Sequence, residues 1–404
     1  MFAGTSVCKW LAAVRRPRQL EHMSLPEILT ECARLANGAG AGALASVAKR
    51  RGSLPMSGTA KMLVSASGAR HGTVGGGCLE AEIIERAMSV LERRVPAAST
   101  HSLNAELAGD YGLTCGGTAE MVIEPVFPDP VLAAVYAEAA AVVARGERAV
   151  MGTALDWSDG PRKALWITAN GAARVVGLAD AALARAFAAF DARAETPAFD
   201  DVVLMESVSG KPRLVVFGAG HVGARVAQAA AFAGWRVTVV DDRADFADAA
   251  RLPFAERAIV CDFHDVASTV AVDQDSYVVI ATRGHQHDVV LAGQLAARPM
   301  RYLGMLGSRR RKVALTAKVL REWGVSAADL DRMHAPVGLS IGADTPEEIA
   351  VSVVAEMIAV RRSGSRRRGG VVSAAAGPGS EATAHEVEYE AGASAAADGA
   401  SEEL

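Results

Sequence analysis

The stretch from Arg213 to Asp241 leaves the chain few folds to choose from. Arg213–Phe217 (RLVVF) is a short continuous apolar run, followed at once by Gly218-Ala219-Gly220-His221-Val222-Gly223. Val222–Phe232 then has helical apolar spacing and many alanines, Gly234 closes that helix, and Trp235–Val240 (WRVTVV) reads as a second buried strand ending at Asp241-Asp242-Arg243. Strand, GxGxxG, helix, strand and acid within about thirty residues is the order of a dinucleotide-binding βαβ unit. A lone GxGxxG carries little weight; one in this context constrains the fold strongly. Gly218 and Gly220 allow a tight turn and close backbone approach, and Gly223 lets helix and strand pack. The helix start then offers free N–H groups to a phosphate. Asp241 stands where an acid accepts from a ribose hydroxyl.

Further βα units follow. Ala258–Val260, Ser276–Ala281 and Met300–Leu303 read as strands, each ending in a polar or glycine-rich loop. Ligands of open parallel sheets bind outside the carboxyl ends of the strands, where these loops lie. One loop holds Thr282, Arg283 and Gly284 ahead of His285 and His287. Two histidines two apart do not share a helix face, so a loop capping the next helix is preferred over a metal site. Another loop joins Gly304 and Gly307 to Ser308, Arg309, Arg310, Arg311 and Lys312 at a helix start. That chemistry suits an anion, against a basic first turn that merely faces water. Glu347 and Glu348, after Thr345-Pro346, start the last helix (Ile349–Val360) by ordinary capping logic.

More than two hundred residues precede this half, and their glycines cluster around two thiols. Gly75-Gly76-Gly77 lead directly into Cys78, after which Leu79–Met88 has helical spacing; Cys115 precedes Gly116-Gly117 and a strand-like Glu120–Ile123. A thiol at a helix start has its thiolate favoured by the dipole and by free N–H groups. Glycines beside each thiol suggest backbone that approaches a ligand closely, against the plain alternative of cysteines packed as small hydrophobes. Cys8, Cys32 and Cys261 lack the glycine context and read as structural.

Composition narrows the class. Five cysteines in 404 residues, with no CxxC, exclude a disulfide scaffold and a zinc finger. No run of eighteen apolar residues occurs, which argues against a membrane span. A formal charge of −4 argues against a nucleic-acid binder. The expectation is a cytoplasmic protein of a reducing compartment. Seven carboxylates and no Lys or Arg after Val371 mark an acidic Ala/Gly/Ser tail, read as disordered, so the rest of the chain is slightly basic. Residues 1–22, with Arg15, Arg16 and Arg18, read as a disordered leader or as sequence ahead of a true start at Met23, rather than as a transit segment.

Taken in order, GTVGGGCLEAEIIERA, CGGTAEMVIEPV, LVVFGAGHVGARVA, VTVVDDR, VIATRGHQHD, YLGMLGSRRRKVAL and HAPVGLSIGADTPEEIAVSVVAEMIA resemble the xanthine dehydrogenase accessory protein family of the XdhC/CoxI type. The resemblance covers roughly residues 40–127 and 205–362. It implies an α/β chain: an N-terminal mixed α+β domain followed by a Rossmann-like, doubly wound parallel-sheet domain. It also implies a chaperone, not an enzyme, that binds the molybdenum cofactor (a pterin with a dithiolene and a terminal phosphate) as cargo. Such a chaperone protects the cofactor while a cysteine desulfurase exchanges its oxo ligand for sulfide, and inserts it into a xanthine dehydrogenase-type apoenzyme. One departure lies in Gly52–Lys61, where GSTPR-like residues are expected and Leu54 and Met56 stand, which puts an anion contact from position 56 in question.

The boundaries expected are a leader over 1–23, an XdhC/CoxI-like domain over 24–127, its variable continuation over 128–210, the Rossmann-like domain over 211–362 and the tail over 363–404. The cofactor-binding candidates are Cys78, Cys115, Gly75, Gly76, Gly77, Gly116, Gly117, Gly218, Gly220, Gly223, Asp241, Arg283, Ser308 and Arg309. Cys78 is the first candidate for the molybdenum, which is thiophilic. No catalytic residue is assigned, no nucleic acid or membrane is expected as a partner, and a homodimer is left open. The rival reading is an NAD(P)-dependent oxidoreductase using the same GxGxxG and Asp241, and a third is a pure protein-binding scaffold. A dehydrogenase needs a general acid or base in its substrate half, whereas the glycine–cysteine motifs suit a metal–pterin pocket.

Overall fold

The computed structural model describes residues 23–362 apart from 55, 77, 104–116, 170–171, 308–317 and 320. The leader, the acidic tail and the loop at 308–312 lie outside the described residues.

The chain starts with α1 (Leu25–Arg34) and three strands, β1 (Gly42–Gly52), β2 (Lys61–Ser65) and β3 (Arg70–Gly72). Helix α2 (Cys78–Arg93) leads to β4 (Ala97–Leu103) and β5 (Gly117–Val126). The sheet runs β3-β2-β1-β5-β4, every neighbour antiparallel. The same succession follows at once: α3 (Pro130–Arg145), β6 (Arg148–Ala154), β7 (Lys163–Ala169), β8 (Ala172–Gly177), α4 (Ala181–Ala189), β9 (Ala198–Phe199) and β10 (Val203–Ser209). Its order, β8-β7-β6-β10-β9, is that of the first sheet, again antiparallel throughout. The first half of the protein is therefore an internal structural repeat, and residues 148–209 carry its second sheet.

Register makes the equivalence residue by residue. Ser46 faces Lys61 as Thr153 faces Lys163, and Leu44 faces Glu124 as Met151 faces Glu206. Gly72 and Gly177 each end the third strand at φ +81° and +91°, and a Cβ on either would lie 2.5 Å from the carbonyl oxygen of Lys61 or Lys163. No side chain fits that turn.

Period-two alternation divides the faces. On the outer face of the first sheet Ala43, Ala45, Val47, Met121 and Ile123 pack with Leu79, Ile83, Ala87 and Val90 of α2. On the outer face of the second, Leu183 of α4 packs with Val150 and Met205, and Trp166 stacks on Phe187 with centroids 4.7 Å apart. The inner faces share one core with α1 and α3, including Leu44, Leu63, Met151, Leu165, Leu29 and Tyr136. Within that shared layer the charges cross over. Lys61 Nζ donates to Glu206 Oε2 at 2.5 Å and to Ser46 Oγ at 2.7 Å. Lys163 Nζ donates to both oxygens of Glu124 at 2.8 Å and to Thr153 Oγ1 at 2.6 Å. Each repeat's lysine thus holds the other repeat's glutamate. A buried charge is tolerable only when paired, so these bonds fix one register of sheet on sheet.

The third sheet is parallel. Strands β11 (Arg213–Phe217), β12 (Arg236–Asp241), β13 (Arg257–Val260), β14 (Tyr277–Ile280) and β15 (Tyr302–Met305) lie in the order β13-β12-β11-β14-β15. Helices α5 (His221–Phe232) and α7 (Pro346–Arg362) pack on one face through Val226, Ala230, Val353 and Met357, and α6 (His285–Leu295) packs on the other through Leu291 and Leu295. Strands buried on both faces read as the continuous apolar runs seen in sequence. This is the doubly wound, Rossmann-like arrangement, with α+β structure before it. Among the described residues no helix is long and apolar enough to cross a membrane.

Candidate functional site

The strand order reverses between β11 and β14, and the glycine turn sits at that switch point. Gly218 has φ +105°, and a Cβ there would lie 2.3 Å from the carbonyl oxygen of Ala281, which follows β14. A Cβ on Gly223 would lie 1.9 Å from the carbonyl oxygen of Gly218. Both glycines are demanded by backbone packing inside the protein. Gly220 differs, since a Cβ there meets nothing within 4 Å. It faces open space at the N-cap of α5.

Among the described residues no side chain caps that helix start. Asp129 caps α3 by accepting from the N–H groups of Val131 and Leu132 at 2.8 and 3.0 Å, and Asp180 caps α4 from Ala182 and Leu183 at 2.9 and 3.0 Å. At the start of α7, Glu348 accepts from the N–H groups of Asp344 and Thr345, the capping expected from sequence. Helix α5 has no acid in its first turn and, among the described residues, no side-chain cap. Its opening N–H groups and the positive end of its dipole remain available to an anion.

Asp241 ends β12 as expected, but its carboxylate is already engaged. Oδ2 accepts from Ala219 N–H at 2.7 Å and Arg243 Nη2 at 3.1 Å; Oδ1 accepts from Arg243 N–H at 3.0 Å and Arg243 Nε at 2.9 Å. Four donors match the roughly four lone-pair positions of a carboxylate. Arg243 is held in turn over the Phe246 ring, 3.4 Å from its centroid. Arg283 Nη2 donates to Asp242 Oδ2 at 3.0 Å, and His287 Nε2 lies 3.8 Å from the same atom. Gly218, Gly220, Gly223, Asp241 and Arg283 thus gather at one edge of the sheet.

Burial works to raise the Asp241 carboxyl, but the Arg243 guanidinium and the two N–H donors outweigh it and hold it below the usual aspartate value. A depressed carboxyl stabilises the fold above the unfolded pKa of about 3.9, and that stability is lost as pH falls through the folded value. Asp241→Asn should therefore lower stability at pH 6–7 and flatten the acid limb of a stability–pH curve. Equal acid limbs for the two proteins would contradict this.

A second group forms around Glu80, in the first turn of α2, which begins at Cys78 as the sequence predicts. Glu80 Oε1 accepts from Thr73 Oγ1 at 2.6 Å, Gly76 N–H at 3.3 Å and Val74 N–H at 3.4 Å, while Arg70 Nη1 lies 3.2 Å from Oε2. The loop carrying Gly75 and Gly76, at φ +120° and +77°, is folded around this one buried carboxylate. Gly117 instead lies within β5 opposite Gly52; a Cβ there would come 2.8 Å from the carbonyl oxygens of Arg51 and Ser53. Met56 is buried with Leu54 against the first sheet's outer core, so in place of an anion contact it supplies packing. Gly77, Cys115, Gly116, Ser308 and Arg309 lie outside the described residues. Among the described residues no hydrogen bond or ion pair joins the Gly75–Gly76 loop to the Gly218 turn. Cys32 and Cys261 are buried free thiols, and burial first, then Glu124, pushes the Cys32 thiol well up, where it is inert.

Sequence reasoning gave no role to Arg243 or Glu80. The signal for Glu80 was present, as an acid at the third position of a helix start. Arg243 was visible as a neighbour of Asp241, not as its partner.

Comparison with known proteins agrees with the two halves. Residues 214–357 match the XdhC Rossmann domain, and residues 35–102 match the XdhC and CoxI family. The chain is 28% identical over 338 residues to the Escherichia coli (strain K12) protein called Uncharacterized protein YqeB, covering 83% of this chain and 46% of that protein. It therefore spans about half the length of that relative. It is 28% identical over 339 residues to a Bacillus subtilis (strain 168) protein described as a probable xanthine dehydrogenase subunit, covering 79% of this chain and 93% of that one. A crystal structure titled as a xanthine dehydrogenase from Bacillus halodurans superposes with a TM-score of 0.63 at 26% identity, over 85% of this chain and 97% of that one. The two matched stretches, 214–357 and 35–102, together take in just over half of the chain, which belongs to the XdhC and CoxI family.

Proposed function

We propose that this protein binds the molybdenum cofactor as cargo, shelters it while a cysteine desulfurase replaces its oxo ligand with sulfide, and passes it to a xanthine dehydrogenase-type apoenzyme. Family membership and the names of the two Bacillus relatives support the link to xanthine dehydrogenase. The observation that carries the cofactor reading is the pairing of a bare helix start with a filled carboxylate. The first turn of α5 offers N–H groups to a phosphate, while Asp241 has spent its lone pairs on Ala219 and Arg243. A pterin phosphate needs the former. A dinucleotide needs the latter as well, for its ribose hydroxyls.

In this reading the N–H groups after Gly220 bind the phosphate, and Arg283 adds positive charge at the rim. The thiolate for the metal is assigned to Cys78, the first residue of α2. Glu80 keeps the preceding glycines in their turn. No residue acts as a catalyst; the protein binds, shields and releases. Cys78→Ala should lower the molybdenum retained after anaerobic loading roughly tenfold, about 1.4 kcal/mol, with unchanged thermal unfolding. Retention equal to wild type would remove that thiol from the account.

Two measurements separate this reading from an oxidoreductase. The cofactor-loaded protein, mixed with apo-xanthine dehydrogenase, should restore activity faster than free cofactor at equal concentration. A parallel NADH titration should show no saturable binding. Tight NADH binding with no gain in reconstitution would overturn the proposal.

A further inference from the structure

The opposite, amino-terminal edge of the parallel sheet holds a second cluster, away from the glycine turn. A cavity of about 30 Å³ lies there, lined among others by Arg148, Glu195, Asp275, Tyr277 and Arg361. Arg148 opens β6 in the second repeat, Tyr277 opens β14 and Arg361 ends α7, so the cavity lies between the repeat and the Rossmann-like domain. A single water needs about 10–15 Å³ measured this way, so the space exceeds one water.

Its donors are short of acceptors. Tyr277 is 2% exposed and its hydroxyl has no partner among the described residues. Arg148 Nε and Nη1, Arg361 Nε and Arg301 Nη1 are buried and have no hydrogen-bond partner among the described residues either. Asp275 Oδ1 stands 3.6 Å from Arg148 Nε, and Glu195 Oε2 3.4 Å from Arg361 Nε, without a hydrogen bond forming at either nitrogen. Around the cavity Arg148, Lys211, Arg213 and Arg361 stand against the carboxylates of Glu147, Glu195 and Asp275, which leaves one cation in excess. Burial depresses Arg148, and Arg301 pushes the same way, against the pull of Asp275 and Glu195. Leaving buried donors unmade is costly, and planar guanidiniums match the oxygens of an oxyanion.

We propose that this cavity binds a tetrahedral oxyanion, as inorganic phosphate or as the phosphate of a monoester, between Arg148 and the Arg361–Tyr277 side. The anion accepts from the stray N–H groups and from the Tyr277 hydroxyl, and its charge balances the excess cation. Because its ligands come from both domains, binding tightens their junction. The site is independent of the cofactor reading, since the Gly218 turn lies at the other edge of the sheet.

Isothermal titration of the full chain in phosphate-free buffer at fixed ionic strength tests this, with orthophosphate and phenyl phosphate as probes. In Gly220→Asp, where the glycine turn is filled and repels phosphate, one saturable site is expected to remain, with the affinity it has in wild type. Arg148→Met should weaken it about 10–100-fold, the worth of a hydrogen bond to a charged group. Tyr277→Phe, which keeps the packing, should weaken it about threefold to tenfold. Tighter binding of phenyl phosphate assigns the site to monoesters, and tighter orthophosphate assigns it to the free ion. No saturable binding by wild type, unchanged binding in Tyr277→Phe and Arg148→Met, or loss confined to Gly220→Asp would each overturn the proposal.

Discussion

Lys163→Met is expected to destabilise the protein by about 3–5 kcal/mol, the cost of breaking a buried pair from one side. The ammonium is fully buried and meets both oxygens of Glu124 and the hydroxyl of Thr153. Without it, the side-chain hydrogen bond left to Glu124 among the described residues is the long one from Thr153 Oγ1, 3.4 Å away, inside an apolar layer shared by both repeats. Methionine replaces the stem but not the charge, so the loss is electrostatic rather than a cavity. Lys163→Met with Glu124→Leu removes both charges and should recover most of the stability, since apolar replacements of buried pairs are often neutral. Urea unfolding of the two variants checks the claim. A single-variant loss below about 1 kcal/mol, the range of an exposed pair, would contradict it. Because the pairs cross, the damage should appear as weakened docking of one repeat on the other. Separate unfolding steps in the variant, where wild type shows one for this half, would be its signature.

Gly223→Ala is expected to lose both stability and cofactor. The new Cβ would lie 1.9 Å from a backbone oxygen, that of Gly218, and no side-chain rotation relieves it. Helix α5 must back away from β11, at a cost of about 1–3 kcal/mol, typical of overpacking. The opening N–H groups of α5 move with it. Gly220→Asp should do the reverse. Position 220 has open space for a side chain and extended backbone, with φ −69° and ψ −172°, and aspartate is a favoured N-cap. Stability should hold or rise by about a few tenths of a kcal/mol, while the carboxylate takes the N–H groups and repels phosphate. One substitution breaks the scaffold; the other plugs the site. A Gly223→Ala protein as stable as wild type would refute the packing argument.

The parallel-sheet domain was legible because its signals are local. Arg213–Phe217 is bounded as a strand in sequence and structure alike, since an apolar run between Pro212 and Gly218 has nowhere else to stop. The last strand slipped by two residues, from an expected Met300–Leu303 to Tyr302–Met305. Gly304 suggested a loop, yet it lies in the strand, at a position that needs glycine because Val337 Cγ2 would sit 2.5 Å from a Cβ there. That crowding comes from a residue thirty-three positions away. The internal repeat went unread for the same reason. Its marks are small and scattered: Lys61-Met62-Leu63 against Lys163-Ala164-Leu165, and Glu124-Pro125-Val126 against Glu206-Ser207-Val208. Their meaning lies in lysines and glutamates that meet across two sheets, which no local period records. At the site, spacing put Asp241 at the end of its strand but could not show Arg243 curling back to fill it.

The central claim is that the glycine turn holds the phosphate of a molybdenum–pterin cargo. The most direct measurement is the molybdenum and oxidised-pterin content of wild type and Gly220→Asp, purified anaerobically after loading and compared alongside their unfolding temperatures. The account predicts cofactor approaching one per chain in wild type, and at least a tenfold loss of affinity, about 1.4 kcal/mol, in a Gly220→Asp protein of equal or higher unfolding temperature. Wild-type protein that holds no cofactor, or an equally stable Gly220→Asp protein that retains it in full, would contradict the account.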